Sequence, residues 1–301
     1  MFSRRIAMAA SIAMLISALT TAPAAAAKPA APPGQPRPPT TERPLTSEEE
    51  AESARKVAEA ERYLASPEAH EETLVSLACV TPTAAGAEPT VTAANDETIQ
   101  ACYTPQGFLS VEARDQVRSY YCGPAVGQVI ANYSWAVGWG SNKYLQSTIA
   151  QWMATDANGQ TNAYWLEAGL ERATAGSPRR PANWNWVVTL LQDSDRDGQF
   201  GDQLHTYVRS NVSGSRMPLA IAVKPHDPYG QFHLVSWPRP AGSTGHWITA
   251  YGWVGLWTGT DYARLYYTDS SRDEGGSTGK FWDPMRHIAG MIMAHHGRFV
   301  W

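Results

Sequence analysis

The stretch QVRSYYCGPA, residues 116–125, is the part of the sequence that decides the fold. Pro124 suits the first turn of a helix, because the N–H that proline lacks would have no partner there. Apolar residues follow at helical spacing, namely Val126, Val129, Ile130 and Tyr133. We therefore predict a helix that begins at Cys122 and ends near Trp135.

The chemistry of this stretch centres on Cys122. The unpaired N–H groups and the dipole at a helix N-terminus favour the thiolate, the form in which cysteine acts as a nucleophile. Gly123 lets a substrate approach the sulfur closely. Gln116 lies six residues upstream, and a loop of that length can bring its amide beside the sulfur. There the amide and the backbone N–H of Cys122 would both donate to a developing oxyanion.

Gln116, followed at this spacing by Tyr-Cys122-Gly-Pro-Ala, resembles the nucleophile motif of C39-like peptidases, which belong to the papain-like superfamily. By the order of its motifs, the resemblance covers the chain from Gln116 to Asp269. It implies a papain-like fold, a Cys–His–Asp triad and the hydrolysis of amide bonds.

Eight histidines compete for the role of general base, and the two serious candidates are His246 and His233. His246 follows Gly245 and opens the strand-like run HWITAYGWV, and the glycine would clear space beside the imidazole. In the C39-like pattern the catalytic histidine takes this Gly-His place before a strand. His233 opens a shorter apolar run. We predict His246 as the base, and a structural histidine at a strand start is the alternative.

An imidazolium needs a partner that fixes its tautomer and orientation. Asp269 ends the run ARLYYTD, which we predict to form a hairpin with the strand of His246. The antiparallel course would bring Asp269 beside His246, and the C39-like pattern has its aspartate at this strand end. In that pattern proline often follows the aspartate, whereas Ser270 follows here, so Asp273 stays open as a second candidate.

The order of the predicted elements indicates the fold class. Helical patterns come first in the compact part of the chain, and short β-branched or aromatic runs come later. This order favours an α+β fold with a helical part followed by an antiparallel sheet, and the resemblance implies its papain-like version. We predict helices over 122–135, 145–154, 164–173, 187–191 and 203–212, and strands over 219–224, 246–255, 263–269 and 288–294.

The first hundred residues differ in composition from the rest. Residues 1–27 combine an Arg pair, a short apolar run and an Ala-rich end, as in a signal peptide removed on export. Residues 28–105 combine a Pro-rich linker with a charged helix predicted from about Thr46 to Ala65, opened by a capping box. We interpret them as a linker and a helical pro-segment or stalk, partly disordered. Residues 106–301 form the predicted catalytic domain.

The charge and hydropathy of the sequence limit which binding partners and which cellular location we expect. The formal net charge of −4 gives no strong positive field, so we expect no nucleic-acid partner. No later segment is apolar enough to span a bilayer, so we expect no stable membrane insertion after signal removal. We expect a secreted monomer that acts on a peptide or protein, either free outside the cell or associated with the cell wall.

The chain has three cysteines. Cys79 and Cys102 flank a Thr-, Ala- and Pro-rich stretch and are candidates for a disulfide that leaves Cys122 free. The alternative is a disulfide that includes Cys122.

Asp193, Asp195 and Asp197 alternate before a glycine, as at the start of a calcium loop. The twelfth position of that loop is Leu204 rather than glutamate. We therefore weigh a calcium site against a solvated acidic turn, and we expect that no cofactor is required.

Three functions fit these residues. The first is a secreted cysteine peptidase that works through an acyl-enzyme. The second is a transamidase or a peptidoglycan amide hydrolase on the same fold. The third is a non-catalytic secreted binding module. We favour the peptidase because the whole set of Gln116, Cys122, His246 and Asp269 is present.

Overall fold

A computed structural model of the chain describes residues 43–67, 69, 106–155, 161–191, 200–226, 232–238, 245–255, 263–271 and 276–301. The predicted α+β fold, a helical part followed by an antiparallel sheet, is confirmed. The helices are α1 (Ser47–Leu64), α2 (Cys122–Ser134), α3 (Gln146–Trp152), α4 (Ala163–Thr174), α5 (Phe200–Arg209) and α6 (Met285–Ala294). A π-helical turn, Ser210–Ser215, continues α5.

The strands of the described residues form one seven-stranded sheet in which every pair is antiparallel. They are β1 (Gln106–Phe108), β2 (Val188–Leu190), β3 (Leu219–Val223), β4 (His246–Val254), β5 (Arg264–Asp269), β6 (Gly279–Pro284) and β7 (Arg298–Val300). Their order is β2-β7-β3-β4-β5-β6, and β1 also pairs with β4.

The central strand is β4, and all nine of its residues are buried. Its first half pairs with β3 and its second half with β1, while β5 lies along its other edge. The register with β5 shifts between Ala250 and Gly252. A β-carbon at Gly252 would lie 2.4 Å from the ring of Phe108, so the missing side chain lets β1 lie this close. His246 therefore begins a strand that is held on both sides.

Helix α2 is also buried along its whole length of thirteen residues, and it packs against α3, α4 and β4. Gly127 on α2 and Gly169 on α4 both face Met153. A β-carbon would come within 2.5 and 2.3 Å of that side chain at the two positions, so both glycines allow close helix packing. This packing fixes the first residue of α2 against the sheet.

Two predictions of secondary structure are wrong. The predicted helix over 187–191 is instead the short strand β2, whose partner β7 is far along the chain and leaves no local signal. The predicted strand over 288–294 lies inside α6. An apolar run with branched residues fits a buried strand as well as a buried helix, and here the burial follows helical spacing. The buried residues of α6 are Met285, Ile288, Ala289, Met291 and Ile292.

Helix α1 begins with the predicted capping box, in which the Thr46 hydroxyl accepts from the Glu49 N–H and the Glu49 carboxylate accepts from the Thr46 N–H. Its charged composition leaves few apolar residues to bury, and only Ser53, Lys56 and Ala60 of its eighteen residues are buried. The helix packs against β2, α5 and the π-helical turn.

Polar contacts join α1 to the rest of the domain. Ser53 Oγ lies 2.9 Å from Thr189 Oγ1, and the buried ammonium of Lys56 donates to the carbonyl oxygen of Trp301. Ala60 is fully buried. Small and polar side chains thus dock the helix where an apolar stripe would be expected.

The predictions for residues 1–42 and for Cys79 and Cys102 lie outside the described residues. Within the part of the chain that the structure describes, no helix combines the length and the hydropathy needed to cross a membrane.

Candidate active site

Cys122 is the first residue of α2, and its thiol is free and 7% exposed. Tyr121, at the N-cap, makes no side-chain hydrogen bond to the helix. Among the described residues nothing accepts the backbone N–H of Cys122, as expected in a first turn. The sulfur therefore lies at the positive end of a buried helix, with an unused N–H of the same residue beside it.

His246 is the first residue of β4 and is 4% exposed. Its Nε2 lies 2.8 Å from Oδ1 of Asp269, the last residue of β5. The strand register explains this contact. Thr249 pairs with Thr268, so Asp269 falls opposite Ile248 and on the same face of the sheet as His246. The predicted hairpin geometry brings the imidazole and the carboxylate together.

The thiol of Cys122 interacts with the same imidazole. Burial alone would lower the pKa of His246, but the charge of Asp269, the hydrogen bond to it, and then the hydrogen bond and charge of Cys122 raise it above its usual value. Because Asp269 occupies Nε2, we infer that the thiol contacts the other ring nitrogen, Nδ1. The imidazole therefore lies between sulfur and carboxylate and keeps its proton at neutral pH.

The carboxylate of Asp269 is fully buried and accepts four hydrogen bonds. Oδ1 accepts from His246 and from the Ser271 N–H, both at 2.8 Å. Oδ2 accepts from Ser236 Oγ at 2.7 Å and from Trp237 Nε1 at 2.9 Å. Burial alone would raise the pKa of Asp269, but the charge of His246 and these hydrogen bonds hold it below its usual value. Asp269 is therefore ionised and fixed in place.

Ser236 and Trp237 are site residues that sequence reasoning misses. They lie in the segment 232–238, which also contains His233, the rival candidate for the base. The available signal was an apolar run ending in tryptophan, since a buried indole N–H needs an acceptor. His233 itself forms an isolated bridge with His226, and their rings stack at a centroid distance of 5.5 Å.

Gln116 is tied to the site through its backbone. Its N–H donates to the carbonyl oxygen of Ser270 at 2.9 Å, next to Asp269. Its side-chain Nε2 donates to the carbonyl oxygen of Ser119 at 2.9 Å, and its Oε1 is buried without a partner among the described residues. Nε2 carries a second hydrogen, so one donor remains for an oxyanion. That role of Gln116 stays a prediction.

Gly245 makes room for a different ring from the one expected. A β-carbon there would lie 2.0 Å from Nε2 of His295, which follows α6 in a turn. Burial, followed by the charges of His296 and Lys224, lowers the pKa of His295 to about 4. A neutral ring therefore packs against the residue that precedes the base.

The predicted calcium ligands Asp193, Asp195 and Asp197 lie outside the described residues, as does Asp273. In the described part, no group of three or more His, Cys, Asp or Glu side chains is placed to hold a metal ion. A groove of about 1120 Å³ runs between α1 and α5 and contains none of the predicted catalytic residues. Its lining includes Leu45, Val57, Leu64, Thr189, Thr206 and Tyr207.

No protein-family model and no curated protein matches this sequence. Among solved structures, the chain is similar to the bromelain protease from Ananas comosus in complex with the E64 inhibitor, at 13% identity and a TM-score of 0.36 over 64% of this chain and 93% of that chain. It is also similar to digestive procathepsin L 3 of Tenebrio molitor larval midgut, at 11% identity and a TM-score of 0.38 over 87% and 94%. A recombinant stem bromelain precursor matches at 13% identity and a TM-score of 0.34 over 64% and 66%. The geometry of the site itself indicates its chemistry.

That geometry is a thiol at a helix N-terminus, an imidazole beside it and a fixed carboxylate behind the imidazole. Such a set can hold a thiolate–imidazolium pair and transfer an acyl group through sulfur. Of the four predicted residues, the structure brings Cys122, His246 and Asp269 into one interacting line, and it places Gln116 in the adjoining loop.

Proposed function

We propose that this chain is a cysteine peptidase of the C39-like type, which hydrolyses peptide bonds through a covalent acyl-enzyme. The observation that carries the proposal is the position of His246, which interacts with the Cys122 thiol on one side and with Asp269 on the other. The nucleophile motif around Cys122, with its resemblance to C39-like peptidases, supports the same conclusion.

The first half of the reaction forms the acyl-enzyme. The Cys122 thiolate attacks the carbonyl carbon of the scissile bond, and a tetrahedral intermediate forms with negative charge on the carbonyl oxygen. The backbone N–H of Cys122 and the second N–H of Gln116 donate to that oxygen. His246 gives its proton to the leaving amine as the C–N bond breaks.

The second half releases the product. The neutral imidazole of His246 takes a proton from water, which attacks the thioester carbonyl. The C–S bond breaks, the acid leaves, and the thiolate of Cys122 forms again beside the imidazolium, which keeps the proton taken from water. Asp269 holds the orientation of His246 in both halves.

The proposal is tested by treating the purified protein with iodoacetamide while casein hydrolysis is followed. We expect alkylation at Cys122, mapped by peptide mass spectrometry, and a parallel loss of hydrolysis. Cys122→Ser should be inactive and should not be labelled at residue 122. The matched control is Cys79→Ser/Cys102→Ser, which removes the other two cysteines and should keep hydrolysis and its sensitivity to iodoacetamide.

The products distinguish this proposal from the related functions. Hydrolysed peptides support a peptidase. Transfer of the acyl group to an added amine identifies a transamidase, and cleavage of wall fragments without cleavage of casein identifies a peptidoglycan amide hydrolase. An unreactive Cys122 together with no turnover of any of these substrates would contradict the enzyme proposal and leave a binding module.

We further propose that the protein is exported and acts as a monomer on peptides or proteins, without a required cofactor. The Arg pair, the short apolar run and the Ala-rich end within residues 1–27 support export. Mass spectrometry of the protein from culture medium tests export, and light scattering of the same sample tests the monomer. Assays with added calcium or with a chelator test the metal requirement.

A further inference from the structure

A line of buried oxygen atoms continues behind Asp269, away from the thiol. Asp269 Oδ2 accepts from Ser236 Oγ at 2.7 Å, and Ser236 Oγ lies 3.2 Å from Tyr267 Oη. Tyr267 Oη lies 2.7 Å from Oδ2 of Asp283. The first three residues of this line are fully buried, and Asp283 is 3% exposed. Two hydroxyl groups therefore connect a second carboxylate to the one that holds the base.

Three elements build this line. Tyr267 and Asp269 are two residues apart on β5 and so share one face of the sheet. Asp283 lies on the paired strand β6 and on that same face. Ser236 comes from the segment 232–238, which is joined to β6 by the Val235 N–H, a donor to Asp283 Oδ2 at 3.0 Å.

The number of hydrogens limits how this line can be bonded. It has three contacts, and each hydroxyl supplies one hydrogen. When both carboxylates are ionised, Tyr267 donates to Asp283. The hydroxyl oxygen of Tyr267 then competes with Asp269 for the hydrogen of Ser236. A proton on Asp283 supplies the missing hydrogen. Asp283 then donates to Tyr267, Tyr267 donates to Ser236, and Ser236 donates to Asp269.

We propose that Asp283 is a positioning residue for the triad, whose proton aligns Tyr267 and Ser236 into a directed chain that fixes Asp269 and, through it, His246. This inference rests on the proposed function. When Asp283 loses its proton, the Ser236 hydrogen is shared and Asp269 holds the imidazole less firmly. Turnover should then fall by about fivefold, the effect of one ordinary hydrogen bond.

The surroundings of Asp283 bring the loss of its proton into the pH range in which the enzyme would work. Burial raises the pKa of Asp283 to about 6, against the hydrogen bonds from Tyr267 and the Val235 N–H. Among the described residues Asp283 has no ion pair. The titratable and charged groups on the elements packed around it are Arg264, Tyr266, Tyr267 and Asp269 on β5, Lys280 on β6, Arg286 and His287 on α6, and His233 in the segment 232–238, and His246 lies beyond Asp269.

Two variants should fix kcat at opposite levels by changing the hydrogen bonds of this line. Asp283→Asn keeps an acceptor for Val235 and Tyr267 but has no titrating proton, so the competition for Ser236 becomes permanent. Its kcat should show no step near pH 6 and should stay at the lower level of the wild type. Tyr267→Phe removes the competing acceptor, so its kcat should also lack the step but stay at the higher level.

The matched control is Tyr266→Phe, the same loss of a hydroxyl at the next residue of β5, on the other face of the sheet. It should keep the step near pH 6. A merely structural role would lower kcat in both test variants at every pH, and that result, or a step that persists in Asp283→Asn, would overturn the inference.

A second measurement separates this inference from the proposed function. The imidazole N–H proton of His246 should shift in the NMR spectrum of the wild type with a midpoint near pH 6, and the transition should be absent from Asp283→Asn. This readout needs no turnover. If the protein has no peptidase activity but shows the transition, only the proposed function is contradicted. If the wild type lacks the transition, the positioning role of Asp283 is contradicted.

Discussion

The indole of Trp237 lies against the imidazole of His246, with ring centroids 5.0 Å apart and planes at 60°. The same indole donates its Nε1–H to Oδ2 of Asp269 at 2.9 Å. Trp237 thus touches both members of the base–carboxylate pair while remaining 3% exposed itself. Because a charge pair is stronger where water is excluded, this ring strengthens the contact between His246 and Asp269.

Trp237→Phe should separate the two roles of this side chain. Phenylalanine keeps a ring over His246 but removes one donor from Asp269, so kcat for peptide hydrolysis should fall by about tenfold. Trp237→Ala should lower it further, because water then reaches the pair. Trp135→Phe is the control, since it also removes one indole hydrogen bond, to the carbonyl of Ala173, and should leave kcat unchanged. Equal kcat in Trp237→Phe and wild type would contradict this role.

Asp269→Asn should narrow the pH range of activity from the alkaline side. The negative charge of Asp269 raises the pKa of His246, so its removal lowers that pKa and the leaving amine loses its proton donor at lower pH. We expect the alkaline limb of the kcat/KM profile to move toward acid, and the maximum to fall by about 100-fold.

The sign of that shift is the test of the role of Asp269. A variant that loses activity equally at every pH, with its alkaline limb unmoved, would show that the carboxylate supports the fold without tuning the base. Thermal unfolding of the same sample should show that the domain remains folded.

Gly245→Ala should disturb the start of β4 through His295. The new β-carbon would lie 2.0 Å from Nε2 of that ring, and overpacking of this kind costs about 1–3 kcal/mol. We expect a lower Tm and reduced kcat, with both recovered in part in Gly245→Ala/His295→Ala.

Gly290→Ala provides the control for this pair. Gly290 lies inside α6, and a β-carbon there would meet Phe232 at an ordinary contact distance of 3.5 Å. Because alanine is the better helix former, this variant should match or exceed the wild type in Tm. If the double variant is no more stable than Gly245→Ala, the contact with His295 is not the cause.

Glu167 should make the domain less stable as the pH rises. Burial, followed by the charges of Glu49, Glu52 and Glu171, raises the pKa of this carboxyl from 4.5 to about 8. A raised pKa in the folded state gives stability that is complete below about 4.5 and is lost as the pH rises toward 8. Differential scanning calorimetry should therefore show Tm falling across this range.

Glu167→Gln should flatten that fall, because the amide cannot ionise beside the acidic residues of α1. The control is Glu61→Gln, which neutralises an exposed carboxylate on α1, the helix that also carries Glu49 and Glu52. It should leave the slope of Tm against pH as it is in the wild type. An unchanged slope in Glu167→Gln would contradict this account.

Local chemistry explains which parts of the site could be predicted. A helix beginning at Cys122 follows from Pro124 and the apolar spacing behind it, and the strands of His246 and Asp269 follow from aromatic and β-branched runs bounded by turn residues. The contact between them required only the antiparallel course of a hairpin. These features depend on neighbours within about thirty residues, where patterns in the sequence are informative.

The rest of the site depends on residues that are distant along the chain. Ser236 and Trp237 reach Asp269 from a segment with no strand or helix pattern, and Asp283 joins the line only because β6 pairs with β5 in one particular register. The charge and hydropathy of the sequence do not indicate the register in which β6 pairs with β5. The packing of Lys56 beneath Trp301 could not be predicted for the same reason, since the ammonium donates to a backbone carbonyl that is distant along the chain.

The reacting side chains are the first residues of α2 and β4, two elements that are buried from end to end. Both elements are packed into the core, so we expect thiol and imidazole to separate only when the domain itself melts. Heat inactivation and loss of tertiary structure should consequently be one event. The amide protons of both elements should be among the last to exchange with deuterium.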